Sequence, residues 1–199
     1  MPPQVLGIPQ IPPGCYPGRV SGFLFAFLAV LVAGIGARDQ VLVAHITRVQ
    51  GPRVLLLAAA LVSALAATAL AGWAALRLLA DIASPSRGLF AGLALVLAGG
   101  EMLFWSAPRA PAEPTRSLFA AFLVLLAQQV TDAARFLVLA LGIAAAAPVP
   151  AALGGAVASV ATLAFGWSAP QLATGQALRR VRRAAGIVLI FVGAWQFIA

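Results

Sequence analysis

The sequence predicts an all-α membrane protein whose six transmembrane helices form two inverted three-helix repeats, and three observations predict it. Of the 199 residues, 62% are hydrophobic and only 9% are charged, with a mean hydropathy of +1.01; soluble domains carry about 25% charged residues. The apolar residues gather in six runs, several of them longer than the roughly 20 residues a helix needs to cross about 30 Å of hydrocarbon. The chain also aligns with itself, without a gap, at an offset of 94 residues, so that three runs in one half face three in the other.

Residues 1–20 hold six prolines (Pro2, Pro3, Pro9, Pro12, Pro13 and Pro17), which oppose a helix and predict a disordered leader. The six runs then fall at about 21–47, 53–80, 87–107, 117–146, 148–170 and 184–199. The first and fourth are long enough to tilt or break. TRVQGPR and ASPSR separate the first three runs with Pro or Gly, and SAPRAPAEPTR joins the third to the fourth. The expected organisation is a leader at 1–20, a first repeat at 21–107, a linker at 108–116 and a second repeat at 117–199. Small residues recur every four positions at Ala59, Ser63, Ala67 and Ala71, and again at Ala151, Gly155 and Ser159. Such faces let helices approach closely in lipid.

All thirteen basic residues are arginines, against five acidic residues, for a net charge of +8. A nucleic-acid binder is excluded, because the arginines sit at the ends of apolar runs and no soluble module remains to present a basic face. With six crossings, one side carries Arg48, Arg53, Arg109, Arg116, Arg179, Arg180, Arg182 and Arg183, and the other carries Arg19, Arg77 and Arg87. The positive-inside rule places the richer side in the cytoplasm of a bacterial inner membrane, with both termini opposite. Cys15 is the single cysteine and His45 the single histidine, so neither an internal disulfide nor a Cys/His zinc site is expected. A Ser/His/Asp or Cys/His constellation is not expected either, so the chain does not read as an enzyme.

At the offset of 94, LFA at 24–26 meets LFA at 118–120, Gly72-Trp73 meets Gly166-Trp167, Ala91-Gly92 meets Ala185-Gly186, and Gly99 meets Gly193. Three runs per half is an odd number, so the second half must enter the membrane upside down. Secondary transporters are built this way, with the substrate site near the midplane between the repeats. GIGARDQ (34–40) faces QQVTDAA (128–134), so both halves interrupt their first run with polar groups. A charge at a helix centre costs about 2.5–3.5 kcal/mol unless it is paired or wet. Arg38 and Asp39 are adjacent and point about 100° apart, which makes them poor partners. Asp132 and Arg135 are three apart and can pair within one helix. The cross-repeat pairs Arg38–Asp132 and Asp39–Arg135 are the sharper expectation. The alternative is a set of ion pairs that holds helices together and moves nothing.

In span count, repeat layout and motif position, residues 21–199 resemble the GDT-one family, six-span manganese/calcium exporters thought to exchange the metal for protons. The family's mark, once in the first helix of each half, is Glu-x-Gly-Asp-Lys/Arg-Thr/Ser, usually followed by Gln. In the first copy Gly36, Arg38 and Gln40 match, whereas Gly34, Ala37 and Asp39 replace the Glu, the Asp and the hydroxyl residue. In the second, Gln128, Val130, Thr131, Asp132 and Ala133 replace the Glu, Gly, Asp, basic and hydroxyl positions. All four family carboxylates are missing.

The resemblance implies a cation–proton antiporter with no resident cofactor. Its partners would be the lipid bilayer, a small cation (manganese or calcium) and protons, with a homodimer as an oligomeric option. A hard divalent cation takes several oxygens at about 2.0–2.6 Å. Asp39, Asp132 and Gln128 are the candidate metal ligands, Gln40 and Thr131 add neutral oxygens, and Glu101 adds a third carboxylate. Equally, Arg38 and Arg135 neutralise two of these acids and leave a charge near −1, which suits a monovalent cation, a proton or a small zwitterion better. Glu101 also stands near Pro108, where it can snorkel to the interface beside Trp105. His45 is either a proton relay or an interface residue with water access.

Overall fold

A computed structural model describes residues 17–104, 117–173 and 175–198, and among these every regular element is a helix. Most of the expected leader and all of the expected linker at 108–116 lie outside the described residues, as does Trp105. The leader's last residues do not stay extended. Helix α1 spans Pro17–Gly34 and opens on the proline, which is tolerated in a first turn because the missing N–H would have no partner there anyway.

The first and fourth runs are each broken in two. Helix α1 gives way to α2 (Arg38–Gln50) across a bend of 52°, and α5 (Leu118–Val130) gives way to α6 (Ala133–Ala144) across 45°. Between them stand α3 (Val54–Asp81) and, after a 3-10 turn at Ser84–Ser86, α4 (Arg87–Phe104). The chain continues through α7 (Pro148–Ser168), the short α8 (Pro170–Ala173) and α9 (Gln176–Trp195). Helix α9 begins well before the expected 184, because RRVRR continues the helix rather than preceding it. By length and composition α3, α4 with its leading turn, and α7 can each cross a membrane, and each bent pair counts as one more. Three to five candidate spans are compatible with a membrane-embedded protein. Phe25, Leu55, Val62, Leu93, Val157 and Phe191 are exposed on the outer faces, where lipid would cover them.

Small residues set the packing. Helix α1 lies parallel to α7: Gly22 sits beside Ala147, and a Cβ on Gly34 would come within 2.8 Å of Thr162 Cγ2. In the same way α5 lies parallel to α3, with Ala121 clustered with Leu56 and Leu125 with Ala60 and Ala64. Helices α3 and α7 cross in opposite senses, with Gly72 against Ala152 and Gly155 near Thr68. Ser63, Ala67 and Ala71 on α3 and Ala151, Gly155 and Ser159 on α7 are buried, as the four-residue spacing predicts, while Ala59 is half-buried. Helices α4 and α9 meet backbone to backbone in antiparallel sense. Gly99 faces the Gly186 carbonyl, and a Cβ on Gly193 would lie 2.6 Å from the Gly92 carbonyl.

This seam predicts a contrast within one helix pair. Gly193→Ala should destabilise the protein by about 1–3 kcal/mol through overpacking. Gly100→Ala on α4, with nothing within 4 Å of the added carbon, should be neutral or stabilise by about 0.4–1 kcal/mol through the unfolded chain's lost freedom. Thermal melts in detergent check both.

Candidate functional site

Breaking a helix strands carbonyls at one end and N–H groups at the next start. In hydrocarbon each unsatisfied group costs several kcal/mol, so breaks persist only where protein or water satisfies them. At the first break, Gly36 takes φ +73°, a left-handed conformation open to glycine. The Gln40 side chain then closes the turn. Its Oε1 accepts from Gly36 N at 2.6 Å, and its Nε2 donates to the Thr162 carbonyl on α7 at 2.9 Å. Gly166 gives α7 room for this, since a Cβ there would lie 2.8 Å from Gln40 Cγ. The carbonyl of Ala33, in the last turn of α1, accepts from Arg182 Nη1 at 2.7 Å. Asp39, in the first turn of α2, accepts from Gln40 N at 2.7 Å.

The second break mirrors this chemistry. Arg38 Nη2 donates to the carbonyls of Gln128 at 3.4 Å and Thr131 at 3.2 Å, at the end of α5, and to the Thr131 hydroxyl at 3.4 Å. Asp132 is the residue before α6, with φ −83° and ψ 152°. Its carboxylate makes no capping bond to the helix and instead meets Arg182 Nη2 at 3.4 Å. A guanidinium thus lies at each helix C-terminus and a carboxylate at each following N-terminus, the signs that the helix dipoles favour.

Glu101, from α4, joins the two ends. Its Oε1 lies 3.1 Å from Arg38 Nε, and its Oε2 bonds Arg182 Nη2. Arg135 donates to Ser159 Oγ and the Ala64 carbonyl, each at 3.2 Å. The second oxygen of Asp39 accepts from Gln129 Nε2 at 3.1 Å. Asp132 and Arg135 are charged neighbours of Asp39, but no arginine stands at ion-pair distance from it among the described residues. Arg38, Asp39, Glu101, Asp132, Arg135 and Arg182 are each at most 8% exposed, so water screens none of these charges effectively.

The structure brings the expected charges together but pairs them differently. Neither Arg38–Asp132 nor Asp39–Arg135 forms, nor does the local pair Asp132–Arg135. Arg38 turns instead to Glu101, and Asp132 to Arg182. Glu101 does not snorkel to an interface; it is buried between two guanidinia. The expected charge near −1 becomes zero, because Arg182 adds a third cation to three acids. Thr131 is exposed and Gln128 half-buried, and both offer backbone carbonyls to Arg38. Asp39 and Asp132 do not gather with a third acidic, His or Cys side chain in a metal-holding group among the described residues. His45 is half-buried on α2, about 9 Å further along the helix than Asp39 at 1.5 Å per residue.

Two residues escaped the sequence reading. Gln129, fully buried, is the inward glutamine rather than Gln128. The signal was the four-residue spacing Ala121, Leu125, Gln129, which is the buried stripe of α5. Arg182 was counted with Arg179, Arg180 and Arg183 as a topology signal. It lies one turn before Gly186 on the stripe that continues through Leu189 and Gly193, and its three companions are exposed.

No family model, no curated protein and no solved structure matches the chain.

Removing one partner of a buried ion pair costs about 3–5 kcal/mol, because the other is left uncompensated. Arg182→Ala should therefore destabilise by that order in choline buffer, while exposed Arg179→Ala and Arg180→Ala should stay within about 0.5 kcal/mol of the parent. Thermal or denaturant unfolding of the three variants compares them directly.

Proposed function

We propose that the chain is an ion-coupled secondary transporter of a bacterial inner membrane, with six spans in two inverted three-helix repeats, exchanging a small cation for protons as do the antiporters it resembles. Helix starts support the repeat: α3 begins at Val54 and α7 at Pro148, 94 residues apart, and the helices that follow the breaks begin at Arg38 and Ala133, 95 residues apart. Helix senses support the inversion. Helix α1 follows α7 while α5 follows α3, and α3 opposes α7 as α4 opposes α9. Ligand sites of inverted-repeat transporters lie at such discontinuous helices. With Arg182 buried, seven arginines still face three across the loops, which keeps the loops that carry them cytoplasmic.

The observation that carries the reading is the inequality among three buried carboxylates. Glu101 and Asp132 are bonded by guanidinium groups, whereas Asp39 is held by a backbone N–H and the Gln129 amide. A carboxylate that gains and loses a proton within a cycle does so most readily without a guanidinium bonded to it, and of the three Asp39 is the one that meets this condition. Reconstituted protein should show proton flux driven by a gradient of manganese, calcium or sodium, and Asp39→Asn should abolish it while leaving the melting temperature within a few degrees of the parent. Flux that persists unchanged in Asp39→Asn removes the assignment. A reporter fused at the C-terminus should read on the non-cytoplasmic side.

A second reading, a non-transporting scaffold, is favoured by one fact: Arg38 and Arg182 already serve helix ends. It expects no flux with any ion, and a charge-reversed pair, Arg182→Glu with Glu101→Arg, that recovers the parent's stability.

A further inference from the structure

The guanidinium of Arg182 lies among oxygens of the kind a hard cation takes. It touches a carboxylate oxygen of Glu101, a carboxylate oxygen of Asp132 and the main-chain carbonyl of Ala33. Carboxylate and carbonyl oxygens are the ligands hard cations take, and the Ala33 carbonyl adds the negative end of the α1 dipole. These oxygens come from three elements, α1, α4 and the start of α6, while the cation that fills them comes from a fourth, α9. We infer that Arg182 is a tethered stand-in for a monovalent cation, occupying a site formed by Glu101, Asp132 and the Ala33 carbonyl.

Charge fixes the class of ion. Three buried carboxylates face three buried arginines, and withdrawing Arg182 leaves Asp39, Glu101 and Asp132 against Arg38 and Arg135, a deficit of one positive charge. A sodium or potassium ion restores neutrality, whereas a divalent ion overshoots it. The site cannot hold Arg182 and the ion together, so entry of one requires departure of the other. The glycine seam holds α9 against α4 with Val96, Met102 and Ile190 interleaved, so it is the Arg182 side chain and not the helix that leaves, and the neighbouring Arg179, Arg180 and Arg183 already lie at the exposed surface that a withdrawn Arg182 would join. The inference rests on the transport reading only in taking this cation as the transported one.

The test uses the full chain in detergent, melted in sodium chloride, potassium chloride, manganese chloride and choline chloride at matched ionic strength. Parent protein should melt alike in sodium and choline. Arg182→Ala should melt lower in choline and rise saturably with sodium or potassium, since a ligand at 100 times its dissociation constant raises the folded-to-unfolded ratio about 100-fold. Adding Glu101→Gln to Arg182→Ala should remove the response. Equal melting of Arg182→Ala in all four salts overturns the proposal. A response to manganese alone overturns it as well, and so does a parent response as large as the variant's.

If Arg182→Ala aggregates in choline, gel filtration after extraction replaces the melt. A single species recovered in sodium supports the site. Aggregation in every salt, with Arg182→Ala/Glu101→Gln monodisperse in all of them, reduces Arg182 to a charge partner and overturns it. A sodium response in Arg182→Ala beside absent flux in proteoliposomes sinks the transport reading and leaves the site standing. Flux with no such response does the reverse.

Discussion

Four sets of backbone groups, left open where two helices stop and restart, are the constraint on which the structure depends. In a greasy interior those groups must be met, and the chain meets three of the four sets with charged side chains, joined at the first break by the Gln40 amide. Arg182 closes the end of α1 and Arg38 the end of α5. Asp39 folds back on the first turn of α2. The adjacency of Arg38 and Asp39 is explained by their opposite tasks: the long side chain reaches across to the other half of the molecule, and the short one serves its own helix.

These end groups are linked by a single carboxylate. Glu101 accepts from Arg182 and forms an ion pair with Arg38, so the two breaks are joined through one side chain on α4. Buried networks of this kind are worth much when complete and cost much when a member is lost. Neutrality of the whole set matters as much as any single bond, because a net charge without water would carry a desolvation penalty that no one contact offsets. Asp39, tied only by neutral donors, is where the set is least constrained.

Much of the fold was legible because hydropathy and punctuation agree. Gly51-Pro52 and the Ser84–Ser86 turn mark the ends of α2 and α3, and the runs at 53–80 and 148–170 match α3 and α7 closely. That the polar stretches at 34–40 and 128–134 come together around buried charges was legible too, from their recurrence at an offset of 94 residues. Partner choice was not. Arg38 is long enough to reach several carboxylates, and only the crossing of α4 against the breaks decides for Glu101. Arg182 was hidden for a related reason: its place in an arginine cluster reads as a solvated end, and depth along the helix axis, rather than phase around it, is what buries it while Arg179 stays exposed. Gln128 and Gln129 differ by one residue of rotation, which an alignment by offset does not resolve.

The glycine seam between α4 and α9 is the same at both of its ends. Gly92 and Gly186 stand 94 residues apart, as do Gly99 and Gly193, and the contacts they make are Gly92 with Gly193 and Gly99 with Gly186. Each contact is the other viewed from the opposite end. A carbon added at any of the four glycines would come within 3 Å of the facing glycine's carbonyl, so the two ends of the seam close alike and neither has slack to lend the other.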